Sequence, residues 1–122
     1  MPVALLWRAL GWTFVLAVVV FSLLPGMDGP QVPQGDKLNH ILAYALLMNW
    51  FAQIDLTARR RVAWALGLLA LGIALEFAQS HLGWRMYDPM DMIADAVGIA
   101  LGWLAAPPRG FDAYGRLRAR FA

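Results

Sequence analysis

The stretch LLWRALGWTFVLAVVVFSLL, from Leu5 to Leu24, contains one charged residue, Arg8, among its twenty positions. At about 1.5 Å per residue, a helix of this length spans roughly the 30 Å hydrocarbon core of a bilayer. A secretory signal peptide has a shorter apolar run that ends in a small-residue cleavage site, and no such site follows Leu24. The stretch therefore predicts a transmembrane helix that is retained in the mature protein.

The composition of the 122-residue chain agrees with this prediction. Hydrophobic residues make up 61% and charged residues 15%, against about 45–50% apolar and about 25% charged in soluble domains. This apolar surplus excludes intrinsic disorder and has to face something other than water. The chain contains no cysteine, which excludes a disulfide-stabilised miniprotein and a cysteine-based zinc module. The composition thus indicates one integral membrane domain.

Three more apolar runs follow the first, at residues 38–54, 62–80 and 91–106. The connections between the last three are short, and backbone exposed to lipid must satisfy its own hydrogen bonds, as a helix does. We therefore expect an all-α polytopic membrane protein, in which four transmembrane helices (5–24, 38–54, 62–80 and 91–106) form one domain over residues 1–106 with short loops.

Residues 107–122 are expected to form a basic cytoplasmic tail, because Pro107 and Pro108 end the fourth run. If the tail is helical, one side of it carries Phe111, Tyr114, Leu117 and Phe121. Such a helix would lie on an anionic leaflet. The alternative is a frayed, solvated tail.

The basic residues are distributed unevenly between the two ends of the predicted bundle. One end collects Arg8, Arg59, Arg60, Arg61, Arg109, Arg116, Arg118 and Arg120, and the other collects Lys37 and Arg85. Because basic residues accumulate on the cytoplasmic side of membrane proteins, we expect both termini to be cytoplasmic. The first and third connections should then face outward.

At the outward end, three predicted helices bring polar residues to the same leaflet. The members of this predicted cluster are Asp36, Lys37, His40, Tyr44, Glu76, Gln79, Arg85, Asp88, Asp91 and Asp95. Near the fourth helix a stripe at steps of three and four residues carries acids and then glycines: Asp88, Asp91, Asp95, Gly98 and Gly102. Residues at these spacings share one helix face. The GxxxG pattern of Gly98 and Gly102 lets a neighbouring helix approach closely, which would press the acids against that neighbour.

Two interpretations of this predicted cluster remain open. In the first, Lys37 and Arg85, together with His40 and Tyr44, neutralise the acids, and the residues form a structural clasp without a ligand. In the second, the residues bind something: a divalent cation, protons shared between neighbouring acids, or the headgroup of a lipid-linked molecule on the donors of Lys37 and Arg85. The ligands of a divalent metal would be His40, Glu76, Asp91 and Asp95. No catalytic residue and no established cofactor follow from the sequence, and the basic surface is too small for nucleic acid.

The same residues resemble a motif of the VanZ-like family of small integral membrane proteins. The motif comprises Asp36, Lys37, Leu38, His40 and Tyr44, then Glu76 and Gln79, then Arg85 and Asp91, and finally Asp95, Gly98 and Gly102. These positions extend over more than half of the chain. Asp95 stands where the family often has asparagine, which makes the predicted cluster of this chain more acidic.

The resemblance implies a multi-pass protein of the bacterial inner (cytoplasmic) membrane. The family's namesake is associated with low-level resistance to the glycopeptide teicoplanin, so the resemblance also implies a hypothetical link to antibiotic resistance. We favour a non-enzymatic protein of the cell envelope that binds or organises a ligand, with the bilayer and a lipid-linked envelope molecule as partners. The alternative is a small membrane enzyme, or an ion- or proton-coupled carrier, that uses the same residues as a metal or proton site.

Overall fold

The computed structural model of the chain describes residues 2–24, 35–82 and 89–121. Over these ranges the protein is all-α, as predicted, with five helices and no strand. The helices are α1 (Val3–Leu23), α2 (Gly35–Ala52), α3 (Ala58–Leu82), α4 (Pro89–Leu104) and α5 (Ala113–Arg120). Two of them, α1 and α3, are long and apolar enough to cross a bilayer, with mean hydropathies of 2.1 and 1.7.

The helix boundaries depart from the predicted runs mainly at the start of α3. This helix begins four residues earlier than predicted, because Thr57 caps it: the hydroxyl Oγ1 accepts a hydrogen bond from the backbone N–H of Arg60, at 3.3 Å. The arginine triplet therefore lies in the first turn of α3 and not in the preceding connection. Pro89 occupies the first position of α4, where its missing N–H costs nothing.

The helices α2 and α4 pack against each other more extensively than any other pair in the described residues. A Cβ at Gly98 would overlap the backbone carbonyl oxygen of Ile41, and a Cβ at Gly102 would overlap that of Ala45. The two glycines thus let the backbones of α2 and α4 touch. Around this contact lies a core that contains Tyr44, Leu47, Met48, Ala52, Leu68, Ile99 and Ala106.

Aromatic contacts attach α1 to α2. The indole rings of Trp7 and Trp50 are stacked, with centroids 3.8 Å apart. Each indole N–H donates to the backbone carbonyl of the other tryptophan, at 2.8 Å. Close to this pair, a Cβ at Gly11 would lie 2.6 Å from the Phe51 ring and would overlap it. The absence of a side chain at Gly11 therefore allows the aromatic rings to pack against α1.

One end of the bundle is defined by two arginines. Arg8 of α1 forms an ion pair with Asp55 in the connection between α2 and α3. Arg61 of α3 donates to the carbonyl oxygen of Pro107, just beyond α4. The start of α1, the α2–α3 connection and the end of α4 therefore meet at this end.

The opposite end is defined by two other hydrogen bonds. Lys37 at the start of α2 reaches Asp91 at the start of α4. Gln79 near the end of α3 donates to the carbonyl oxygen of Ser22 in the last turn of α1. Together with the contacts at the first end, these bonds show that α1, α2, α3 and α4 run in alternating directions.

The tail forms the short helix α5, which packs on the bundle. Asp112 caps it by accepting from the backbone N–H of Gly115, at 2.8 Å. Tyr114 is buried with its ring edge against Trp7, and Gln53 binds the backbone of both Phe111 and Tyr114. The one-sided row expected from the sequence is therefore divided, because Tyr114 turns into the protein while Phe111 and Phe121 are exposed.

Candidate functional site

The end of the bundle where α2 and α4 begin holds six polar residues, which we call the acid-rich cluster: Lys37, His40, Tyr44, Glu76, Asp91 and Asp95. The first direct pair joins the two central helices. Lys37 Nζ lies 3.1 Å from Asp91 Oδ1. The lysine side chain is 22% exposed and the carboxylate is fully buried. Asp91 therefore contacts the ammonium group from the protein interior.

His40, one turn further along α2, repeats this arrangement with a second aspartate. Its Nδ1 lies 2.6 Å from Asp95 Oδ1, and its Nε2 lies 4.0 Å from Asp91 Oδ2. The imidazole is 20% exposed, whereas Asp95 is 1% exposed. The hydrogen bond to Asp95 fixes the orientation of the imidazole ring, whereas Asp91 lies beyond hydrogen-bond distance.

Helix α3 approaches the acid-rich cluster at Gly72. A Cβ at this position would overlap Asp95 Oδ2 and lie 3.3 Å from the Tyr44 hydroxyl oxygen. Glu76, one turn beyond Gly72 on the same face, is buried. The sequence analysis did not identify Gly72, although it is the residue that lets α3 close over Asp95.

Four members of the sequence-predicted cluster are placed elsewhere or are not described. Gln79 is buried and bonds to the last turn of α1, so its amide acts in helix packing. The side chain of Asp36, together with Arg85 and Asp88, lies outside the described residues. Of the ten predicted members, six thus come together in the acid-rich cluster.

The acid-rich cluster contains three buried carboxylates, those of Glu76, Asp91 and Asp95. Lys37 lies against Asp91 and His40 lies against Asp95. Buried carboxylates need positive charge or hydrogen-bond donors, because desolvation otherwise makes their charged form costly. The side chains of Lys37 and His40 are partly exposed, at 22% and 20%, whereas Asp91 and Asp95 behind them are buried.

A shared metal ion requires several ligands that converge on one point. Among residues 2–24, 35–82 and 89–121, the structure places no three His, Asp or Glu side chains where they could hold a metal ion together. The set proposed from the sequence, namely His40, Glu76, Asp91 and Asp95, is therefore not arranged as a ligand shell in the described residues.

At the other end of the bundle lies a second polar group that the sequence analysis missed, which we call the arginine cluster: Arg8, Asp55, Arg60, Arg61 and Trp64. Asp55 accepts two hydrogen bonds from Arg8, at 2.8 and 3.1 Å, one from Arg60 at 3.2 Å and one from Trp64 Nε1 at 2.8 Å. The hydrogen bonds from Arg8 are the largest cause that lowers the Asp55 pKa to about 2, against the opposing effect of burial. The carboxylate is therefore ionised at neutral pH.

Arg61 has a different role in the arginine cluster. Its guanidinium is buried and donates to the backbone carbonyls of Ala52, Asp55 and Pro107, at 2.7, 3.0 and 2.6 Å. The first two carbonyls belong to the end of α2 and the turn that follows, where a helix leaves acceptors unsatisfied. Arg61 thus joins the end of α2 to the segment after α4.

A weak signal in the sequence could have revealed Asp55. It is an acid between the second and third apolar runs, at the end where eight basic residues gather. Charge complementarity alone would have paired it with an arginine, but the sequence does not say which of the eight.

The chain is similar to a protein of fission yeast. An uncharacterised protein of the fission yeast Schizosaccharomyces pombe is 30% identical to this chain over 95 residues. The match covers 75% of this chain and 58% of the yeast protein, so the chain spans less than two thirds of its relative. No family model matches the chain, and no solved structure matches it.

Proposed function

We propose that the chain is a VanZ-like, four-span protein of the bacterial cytoplasmic membrane with both termini in the cytoplasm. Its acid-rich cluster, on the outer side, binds the hydrogen-bond-accepting headgroup of a lipid-linked envelope molecule. The observation that carries the ligand proposal is the pair of partly exposed basic side chains, Lys37 and His40, each in contact with a fully buried carboxylate.

Exposed apolar faces on the two shorter helices support four spans. On α2 an exposed row consists of Leu38, Leu42 and Leu46, and on α4 it consists of Met90, Ile93, Val97, Leu101 and Leu104. Soluble monomers rarely expose contiguous apolar rows of this length. The rows of α1 and α3 are similar, so all four helices present an apolar side that suits lipid contact.

The position of the arginine cluster supports the orientation. The helices alternate in direction, and the basic residues at the start of α1, at the start of α3 and in the tail are collected at one end of the bundle. This is the end that the positive-inside rule assigns to the cytoplasm. The acid-rich cluster then lies at the outer leaflet.

The chemistry of Lys37 and His40 supports an oxyanion as the group recognised. A lysine ammonium and a histidinium both donate to phosphate or carboxylate oxygens in charge-assisted hydrogen bonds. Asp91 and Asp95 restrict how these side chains move, which reduces the entropy lost on binding.

One observation favours a second function, a proton-coupled carrier. His40 lies between Asp91 and Asp95, and such a group can pass a proton from one acid to the other. The acid-rich cluster would then be a proton site that couples to transport.

A link to teicoplanin resistance would follow from either function only if loss of Lys37 changes glycopeptide susceptibility.

The membrane proposal is tested by reporter fusions after Leu56 and after Leu82. We expect the Leu56 fusion to report the cytoplasm and the Leu82 fusion to report the outer side. A cytoplasmic signal from the Leu82 fusion would overturn both the four-span topology and the outward location of the acid-rich cluster.

The ligand proposal is tested with a short-chain polyprenyl phosphate, with the polyprenol of equal length as control. Native mass spectrometry of the detergent-solubilised full chain should show the phosphate bound and the alcohol not bound. Lys37→Gln should weaken binding about tenfold, since a hydrogen bond to a charged group contributes about 1.5–3 kcal/mol. Arg59→Gln, which removes an exposed charge at the other end, should leave it unchanged. Equal binding of phosphate and alcohol would refute the ligand proposal.

A measurement of proton flux distinguishes the proton-coupled carrier from the headgroup-binding protein. Proteoliposomes that contain the wild-type chain are loaded with a pH-sensitive dye and given a pH gradient. Flux that disappears in His40→Gln, together with no binding of the polyprenyl phosphate, would replace the headgroup proposal with the carrier.

A further inference from the structure

A groove of about 350 Å³ opens between α2 and α4 near the arginine end of the bundle. Its lining, which includes Leu46, Asn49, Leu101, Ala105, Phe111 and Ala113, is mostly apolar. The acid-rich cluster contributes nothing to it, because all six of its members lie near the other end. The groove is therefore separate from the proposed headgroup site.

The polar side chains of the groove are already occupied within the protein. Asn49 donates to the carbonyl oxygen of Gly102, at 3.1 Å. Gln53 donates to Asn49 and to the carbonyl oxygen of Phe111, and its own oxygen accepts from the N–H of Tyr114. Since these groups are satisfied, the groove favours an apolar occupant over a polar molecule.

The rim of the groove at the α5 side is basic. The Arg116 guanidinium carbon lies 4.6 Å from the centroid of the Phe111 ring, and this ring lines the groove. Arg109 is exposed two residues before Phe111. The acid nearby in sequence is Asp112, whose carboxylate caps α5. Positive charge therefore dominates the rim.

An apolar groove with a cationic rim matches one amphipathic partner. We infer that the groove binds one acyl chain of an anionic phospholipid of the cytoplasmic leaflet, with the phosphate of that lipid beside Arg116. A guanidinium stacked on an aromatic ring is fixed in direction and pairs well with phosphate oxygens. This inference rests on the membrane topology proposed above, but not on the ligand of the acid-rich cluster.

The test uses the full chain in a neutral detergent with added phosphatidylglycerol or phosphatidylcholine of identical acyl chains. Native mass spectrometry should show one retained phosphatidylglycerol and little phosphatidylcholine. Arg116→Gln should lower the retention of phosphatidylglycerol about fivefold, the effect of one basic residue near an anionic surface. Arg59→Gln removes the same charge at the same end, away from the groove, and should have no effect.

The location in the groove is tested by filling it. Ala105→Leu should lower the retention of both lipids, whereas Ala74→Leu on the exposed face of α3 should not. Leu46→Trp fills the groove from α2 and keeps the test decisive if Ala105→Leu does not accumulate. Equal retention of the two lipids, or equal effects of Arg116→Gln and Arg59→Gln, would overturn the inference, as would full retention in both filled variants.

Extraction of cell membranes with alkaline carbonate distinguishes failure of the lipid-site inference from failure of the membrane proposal. Release of the chain into the soluble fraction would overturn both. An embedded chain without lipid preference would overturn the lipid site alone.

Discussion

The two polar clusters at opposite ends of the bundle use similar residues for different purposes. In the arginine cluster one carboxylate, that of Asp55, accepts four hydrogen bonds. The Arg61 guanidinium donates to three backbone carbonyl oxygens. In the acid-rich cluster Asp91 contacts Lys37 and Asp95 contacts His40, so each buried carboxylate has a donor from α2. The first arrangement gathers several donors on one carboxylate, whereas the second distributes two donors over two carboxylates. On the proposal above, the first is a structural lock and the second a binding site.

The largest expected effect comes from separating the helices that carry the acid-rich cluster. In Gly98→Leu the new side chain would collide with the backbone of α2, which cannot move aside as a flexible side chain can. Overpacking of this kind costs about 3 kcal/mol or more when backbone is involved. We expect loss of folded protein, measured by detergent-phase size exclusion. Gly67→Leu, where a Cβ meets nothing within 4 Å, is the matched control and should fold.

The next effect tests whether the arginine cluster is a lock. Arg61→Ala removes a buried donor from three carbonyls, and we expect the free energy of unfolding to fall by about 2–3 kcal/mol. The measurement is thermal unfolding in detergent. Arg59→Ala, exposed in the same turn, should change it little. Equal effects of the two variants would mean that the carbonyl contacts of Arg61 contribute nothing.

A third effect appears at acid pH. The Asp55 pKa is lowered from 3.8 to about 2 in the folded protein, so the unfolded chain takes up the proton first as the pH falls. The stabilisation is complete above about pH 4 and is lost as the pH falls towards 2, with a total of about 2 kcal/mol. Unfolding measured across this range should show the loss in the wild type and a smaller slope in Asp55→Asn.

The smallest effect on stability is expected from Asp91→Asn. The amide oxygen can still accept from Lys37, so we expect a change below about 1 kcal/mol. Asp55→Asn should cost about 2 kcal/mol, because it weakens bonds to two arginines. If Asp91→Asn lowers the free energy of unfolding as much as Asp55→Asn does, the acid-rich cluster is a structural clasp and not a binding site.

The sequence predicted the helices for local reasons, and all six members of the acid-rich cluster are among the ten residues that it indicated. Apolar run length is a local property, and α1 and α3 follow from it directly. His40 and Asp95 come together because antiparallel α2 and α4 touch at Gly98, and the sequence carried both the charge distribution and the GxxxG pattern.

The parts that the sequence could not predict depend on contacts between distant segments. The amide of Gln79 is directed to α1, and nothing in its spacing from Glu76 distinguishes that role from ligand binding. Tyr114 turns inward because Trp7 offers a ring and Gln53 binds the backbone beside it. Asp55 accepts two of its four hydrogen bonds from Arg8, and this pairing depends on how α1 packs against the rest of the bundle.

The stacked pair of Trp7 and Trp50 has a consequence for how this protein can be followed in solution. Two parallel indoles whose centroids lie 3.8 Å apart are close enough for their electronic transitions to couple. One ring belongs to α1 and the other to α2, so a coupled near-ultraviolet circular dichroism signal arises only when the two helices are docked. The pair thus provides an intrinsic optical reporter of whether the first helix is seated, and no added label is needed.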